Sequence, residues 1–248
     1  MRTHLPHRAR SPIPAWLTRR DVVVHRGLRS EILEEALVRE AGSATRWCNP
    51  IGASLDVLRR DRLNALLEGA GVPVPAARVV EGWAQARELV RSGFVLKSVD
   101  GRRGRGAGVV VPDGATVPSG APFAGPYVVE SFVAGDGVDR KLYVVGERVW
   151  LRLKRTGRCA KNAVPDEGVA VKPGRELVDL ARRVGAATGL EVYGADVLVG
   201  DDGPRVVDVN AFPGFRGVPD AAEAVARHVL VVARRSRYPT STGHKPSR

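Results

Sequence analysis

Three features of the sequence predict an α+β fold rather than a simple doubly wound parallel sheet. Segments with strand and helix periodicity alternate through the middle of the chain. The apolar segment 139–155 is interrupted by a tight turn and reads as an antiparallel hairpin, and the strands 191–199 and 205–210 are separated by a second turn across which they can pair. At 248 residues, 44% hydrophobic and 27% charged, the chain can bury a core in one large domain or two small ones.

The elements follow in order. "DVVVHRG" (21–27) predicts a short strand, and "SEILEEALVREAG" (30–42) a helix capped by Ser30. "SLDVLRRDRLNALLEGAG" (54–71) predicts one helix, because Leu55, Leu58, Leu63, Leu66 and Leu67 share a stripe and Gly71 and Pro73 end it. "WAQARELVRSG" (83–93) is a further helix. "FVLKSV" (94–99) is a strand running into "DGRRGRGAG" and a second strand, "VVV". "YVVESFV" (127–133) comes next, then the hairpin 139–155 turning at Gly146 and Glu147. A helix over 175–189, strands over 191–199 and 205–210, and a helix over 219–233 complete the pattern.

Several function classes are excluded or made secondary. No apolar run approaches the roughly 18 residues that a membrane helix needs, and the N-terminus lacks the apolar stretch of a secretory signal. Cys48 and Cys159 lack metal-ligand spacing and are too few for a disulfide framework, so a cytoplasmic, reduced setting is expected. The net charge of +12 is concentrated in the flanks: residues 1–26 carry +5, residues 234–248 carry +5, and the 207 residues between carry +2. Such Pro-, Ser- and Thr-containing tails read as solvated, so nucleic acid is not an expected partner except through them. His25 and His228 have no triad partner by spacing, Cys159 has no adjacent base, and Trp16, Trp47, Trp83 and Trp150 read as packing residues.

Two constellations carry chemistry. In "KSVDGRRGRGAG", Lys97 ends a strand and Gly101, Gly104, Gly106 and Gly108 fill the turn to the next. Glycines let backbone amides approach an anion, and lysine adds a compact charge in a chain with 6 lysines against 33 arginines. The turn leads into a strand, so this is neither a Walker loop nor a dinucleotide fingerprint. The second constellation is "GADVLV" with "VVDVNAFPGFRG". If these strands pair, Asp196 and Asp208 lie side by side, and Asp208 and Asn210 share a face. Two carboxylates and an amide oxygen are hard ligands suited to Mg²⁺ or Mn²⁺ shared with phosphate.

Taken in order, Lys97 with its glycine loop, "YVVESFV", "DRKLYVVG", "GADVLV" and "VVDVNAFPGFRGV" closely resemble the nucleotide site of the ATP-grasp superfamily over residues 45–233. "NPIGASLDVLRRDRLNALLEGAGVPVP" is similar to the segment that leads into that fold. The resemblance implies two α+β lobes holding Mg-ATP, with a shortened pre-grasp region. The expected layout is a basic, disordered segment 1–20, a reduced pre-grasp region 21–50, an N-terminal lobe 51–125, a C-terminal lobe 126–235 and a basic tail 236–248.

The resemblance also implies roles. Lys97 would meet phosphate, with Gly101, Gly104 and Gly106 in the loop that covers it. The backbone of Glu130, Ser131, Phe132 and Val133 would bind adenine, and Asp139 the ribose. Asp196, Asp208 and Asn210 match the metal ligands. Lys141 and Arg155 would face the transferred phosphoryl group, and Lys161, Asn162 and Gly214 the substrate. Arg62 stands where many members carry a lysine for ATP.

Two branches compete. "DGRRGRGAGVV" and the "LKR" ending resemble the glutamate ligases, which join a carboxylate to an amine through an acyl phosphate. "KLYVVGERV" and "DVNAFPGFRGV" resemble the ATP-grasp inositol polyphosphate kinases, since ligases usually carry Glu at the place of Asp208. The ligase is the leading expectation, with a small-molecule or peptide carboxylate, an amine and a homodimer as partners. A protein that binds nucleotide or RNA without turnover is the third reading.

Overall fold

The computed structural model describes residues 22–25, 46–101, 108–111, 117–155 and 168–234. The helix expected at 30–42, Cys159 and both basic tails lie outside the described residues, as do Gly104, Gly106, Lys161 and Asn162.

A parallel pair opens the described chain, β1 (Val23–Val24) beside β2 (Trp47–Cys48). Helices α1 (Ile51–Leu58) and α2 (Arg60–Gly69) follow, where the leucine stripe predicted one helix. The break is at Arg59, which is extended (φ −102°, ψ 111°) and bridges Asp100. The Arg60 N–H then donates to Val99 O (2.9 Å), and Gly101 N–H to Leu58 O (2.7 Å). Hydrophobic periodicity cannot register such a break, because the apolar stripe continues through it; Leu63 and Leu67 are buried regardless.

A four-stranded sheet comes next, in the order β3 (Ala77–Val80), β6 (Tyr127–Glu130), β4 (Val95–Ser98) and β5 (Val109–Val110). Helix α3 (Trp83–Arg91) covers one face, with Ala86 and Val90 buried against Val80, Leu96, Tyr127 and Val129. The strand 77–80 was not among the expected elements. β6 hydrogen-bonds to β3 and β4, so residues 127–130 belong to this first sheet.

The second sheet has five strands in the order β11 (Gly203–Ala211), β10 (Val192–Gly200), β7 (Val138–Val145), β8 (Arg148–Arg155) and β9 (Val169–Val171). β7 and β8 form the hairpin expected from the sequence, turning at Gly146 and Glu147, with Gly146 at φ +55°. One face of this sheet presents Leu142, Val144, Leu151, Ala195 and Val197 to Leu180, Ala181 and Val184 of α4 (Arg175–Thr188). Burial of that face supplies the main core. Helix α5 (Ala221–Arg234) packs near the start of β10, where Ala224 and Val232 meet Cys48 and Val192.

Asn49 fixes the entry to β10. Its Oδ1 accepts the N–H groups of Glu191 (2.8 Å) and Val192 (2.6 Å), and its Nδ2 donates to Val192 O (2.7 Å). His228, isolated in the sequence, pairs its Nε2 with Glu191 Oε2 at 2.7 Å and so ties α5 to the same strand end.

Candidate active site

The side chains opposite the α4 face form a row across four strands. Asp208 of β11 is directly across from Asp196 of β10, Asp196 from Lys141 of β7, and Lys141 from Arg152 of β8. Directly opposed residues of neighbouring strands share a face, so two carboxylates lead to two cations along one line. The adjoining row is Asn210, Gly194, Tyr143 and Trp150. Gly194 leaves room there for the turn after β11, since a Cβ on it would lie 3.2 Å from Pro213 Cγ.

Lys141 is central to the row. Its Nζ lies 2.6 Å from Asp196 Oδ1 and 3.3 Å from Asp139 Oδ2. Burial alone would pull the ammonium below its ordinary value, but the two carboxylates outweigh that and hold it above. Lys141 therefore stays charged throughout the physiological range. Beside it, burial pushes the Tyr143 phenol up.

The first sheet faces this row with a second ion pair. Lys97 Nζ is 2.6 Å from Glu130 Oε2 and donates to Val207 O at 2.7 Å. Asn64 Nδ2 donates to Glu130 Oε1 at 3.3 Å. Lys97 and Glu130 are both buried, so each ion is compensated by a partner and by further hydrogen bonds. A chain of polar contacts thus runs from α2 through β6 and β4 to β11.

No family model matches the sequence. By sequence it is similar to a "Probable alpha-L-glutamate ligase" of Xanthomonas oryzae pv. oryzae, 28% identical over 207 residues, covering 76% of this chain and 70% of that protein. A protein of the same name from Legionella pneumophila is 25% identical over 203 residues, covering 75% of this chain and 67% of the relative. Among solved structures, the RimK domain ATP-grasp protein of Sphaerobacter thermophilus superposes with a TM-score of 0.62 at 22% identity, over 86% of this chain and 80% of that one. The ATP-grasp ligase PsnB, in complex with a minimal precursor, also gives 0.62 at 22% identity, over 82% and 69%.

The chain has the ATP-grasp fold. The α+β expectation and the two-lobed architecture stand, and the relatives by sequence carry a ligase name. Among the described residues, no helix is long and apolar enough to cross a membrane.

Within this ATP-grasp frame, several expected site residues differ in placement from the sequence reading. Arg62 is exposed on α2, pairing with Asp56 at 3.1 Å, because the helix break rotates it outward. Its neighbour Arg60 is buried instead and donates to Ser98 O (2.8 Å) at the end of β4. Arg155 is opposite Val138, which puts it on the other face of the sheet from Lys141. The Gly101 N–H donates to Leu58 O and the Ser131 N–H to Ala76 O (2.9 Å). Phe132, half exposed, and Val133 continue the connection from β6 to β7. Asp139, 2% exposed, lies in the Lys141 ion pair. Gly214 is exposed in the turn after β11.

Asn64, Arg60, Tyr143 and Arg152 were missed. For Arg152 the signal was present: a turn at 146–147 pairs Val145 with Arg148 and hence Lys141 with Arg152. Arg152 donates to the carbonyls of Gly217 and Gly168, two glycines in the left-handed region (φ +69° and +71°). It ties the turn after β11 to the start of β9.

The candidate metal ligands fit a hard cation. Among the described residues there is no cluster of three His, Cys, Asp or Glu, and the proposed set needs none. Asp196 is buried, Asp208 is half buried and Asn210 is exposed. A partial oxygen shell open on one side suits Mg²⁺, which keeps water and phosphate oxygens in its remaining positions.

Proposed function

We propose that this ATP-grasp protein is an ATP- and Mg²⁺-dependent carboxylate–amine ligase. The observation that carries the reading is the row Asp208, Asp196, Lys141 and Arg152, which puts cation ligands at one end of a line and fixed cations at the other. The ligase names of the sequence relatives support it over phosphorylation of a hydroxyl.

In this reading a carboxylate oxygen of the acceptor attacks the γ-phosphorus of ATP. The bond to the β–γ bridging oxygen breaks, and ADP leaves. An amine then attacks the acyl carbon, inorganic phosphate leaves, and the amine loses its proton as the amide forms. Lys141, held as an ammonium, stabilises charge on the oxygens of the transferred group. Lys97, whose ammonium is held by Glu130 and the Val207 carbonyl, would meet the nucleotide phosphates from the opposite sheet. Mg²⁺ held by Asp196, Asp208 and Asn210 would neutralise charge on the phosphate oxygens. The name of the sequence relatives makes L-glutamate the first amine to try, and PsnB, also solved with a precursor peptide, makes a peptide carboxylate the acceptor class to try.

The test is phosphorus NMR of Mg-ATP incubated with the protein, L-glutamate and a cell extract as the source of carboxylates, with Asp208→Ala as the blank. ADP with free phosphate, formed only when amine is present, is the expected outcome. ADP with a new phosphate-ester resonance and no free phosphate would instead mean a kinase.

A further inference from the structure

We infer that Lys97 is a positioning residue for the metal strand: through the carbonyl of Val207 it holds the β-bulge that places Asp208 on the site face. From the hairpin turn onward, β10 and β11 pair regularly as far as Val197 opposite Val206. Had that register continued, Asp196 would oppose Val207, and Asp208 would oppose Ala195. Ala195 lies in the core with Val197 and Leu142, so the carboxylate would point into the apolar face against α4. Instead the register shifts between Asp196 and Val197, and Asp208 opposes Asp196. The core records the same shift: Val206 and Val209 are both buried in it, three residues apart, where a regular strand alternates by two.

The inserted residue is Val207, and one backbone group on each of Val206 and Val207 is taken by a residue outside its own sheet. Val206 N–H donates to Pro73 O (2.9 Å), in the loop after α2. Val207 O accepts from Lys97 (2.7 Å). β11 is the edge strand of its sheet, so among the described residues these groups have no further strand to pair with. Glu130 holds the ammonium at 2.6 Å and is itself held by Asn64, so the donor is fixed in place before any ligand arrives. Asn210 follows the same register as Asp208, so one bulge sets both.

The inference rests on the reading of Asp196 and Asp208 as cation ligands, and two readouts on the nucleotide-free protein separate them. Amide exchange is measured along 203–211, and Mn²⁺ binding is followed by electron paramagnetic resonance. Lys97→Met is expected to speed exchange at Val206 to Val209 and to weaken Mn²⁺ binding about tenfold, the scale of a hydrogen bond from a charged donor. Lys97→Arg, which keeps a charged donor, is expected to restore both. A lysine acting only through its charge gives the opposite sign, because removing a positive charge near two carboxylates tightens cation binding. Tighter Mn²⁺ binding with unchanged exchange in Lys97→Met therefore overturns the inference. Should Lys97→Met fail to fold, Lys97→Gln decides: protection retained with its N–H donor supports the strut, and protection lost sinks it. Unchanged Mn²⁺ affinity in Asp208→Asn would sink the metal reading alone, leaving the exchange result to decide the role of Lys97.

Discussion

The ammonium of Lys141 lies 2.6 Å from the carboxylate of Asp196, its directly opposed residue on the neighbouring strand. A third charge, Asp139, sits 3.3 Å from the same nitrogen. The arrangement balances one cation against two carboxylates in a site that a divalent ion would also favour.

Replacing Lys141 by Met should therefore destabilise the protein by about 2–3 kcal/mol, because it strands two buried carboxylates. The figure is reduced for the 24% exposure of the lysine side chain. The folded-state value of Lys141 is raised, so its stabilisation is fully present below its ordinary value near 10.4 and is lost as pH climbs through the folded value. Urea titrations should show a gap between wild type and Lys141→Met that is constant from about pH 7 to 10 and closes only above that. Millimolar Mg²⁺ should narrow the gap at neutral pH; a gap indifferent to Mg²⁺ would argue against cation binding beside Asp196.

Asp208→Ala should abolish turnover of Mg-ATP while leaving the thermal midpoint within a few degrees of wild type. The side chain is only half buried, so its loss opens no core cavity. Retained turnover would remove Asp208 from the metal set.

Asn49→Leu should cost about 2–5 kcal/mol in urea unfolding. The substitution leaves the Glu191 and Val192 N–H groups without their acceptor beside a buried strand start. A cost under about 1 kcal/mol would mean that another acceptor reaches them.

Gly217→Ala should cost about 1–3 kcal/mol, since the backbone is at φ +69° and a Cβ would lie 2.8 Å from the Arg152 guanidinium carbon. In a double-mutant cycle, Arg152→Ala should reduce the added cost of Gly217→Ala by removing the clash. Strict additivity would show that the two do not interact.

Much of the fold was legible because it rests on local signals. The turn at Gly146 and Glu147 sets the β7–β8 register by itself, and with it Lys141 opposite Arg152. The helix expected over 175–189 forms as α4, ended by Gly189 in the left-handed region (φ +71°). The split between α1 and α2 was not legible, because its cause is Asp100, far along the chain, bridging Arg59. Arg62 was named from the resemblance alone, and the same break leaves it exposed while Arg60 is buried.

The sequence by itself determined the acid and amide of "VDVN", the hairpin that brings Asp196 near them, and the lysine at the end of β4. It also determined which residues have the chemistry to bind nucleotide and cation. Only the tertiary structure decided which way those groups point. A strand of period two sends Asp208 to one face or the other according to a single inserted residue, and Val207 is that residue because Lys97 and Pro73, from a different part of the chain, satisfy the backbone groups there. Such a choice depends on contacts made across more than a hundred positions of chain, which no local pattern encodes.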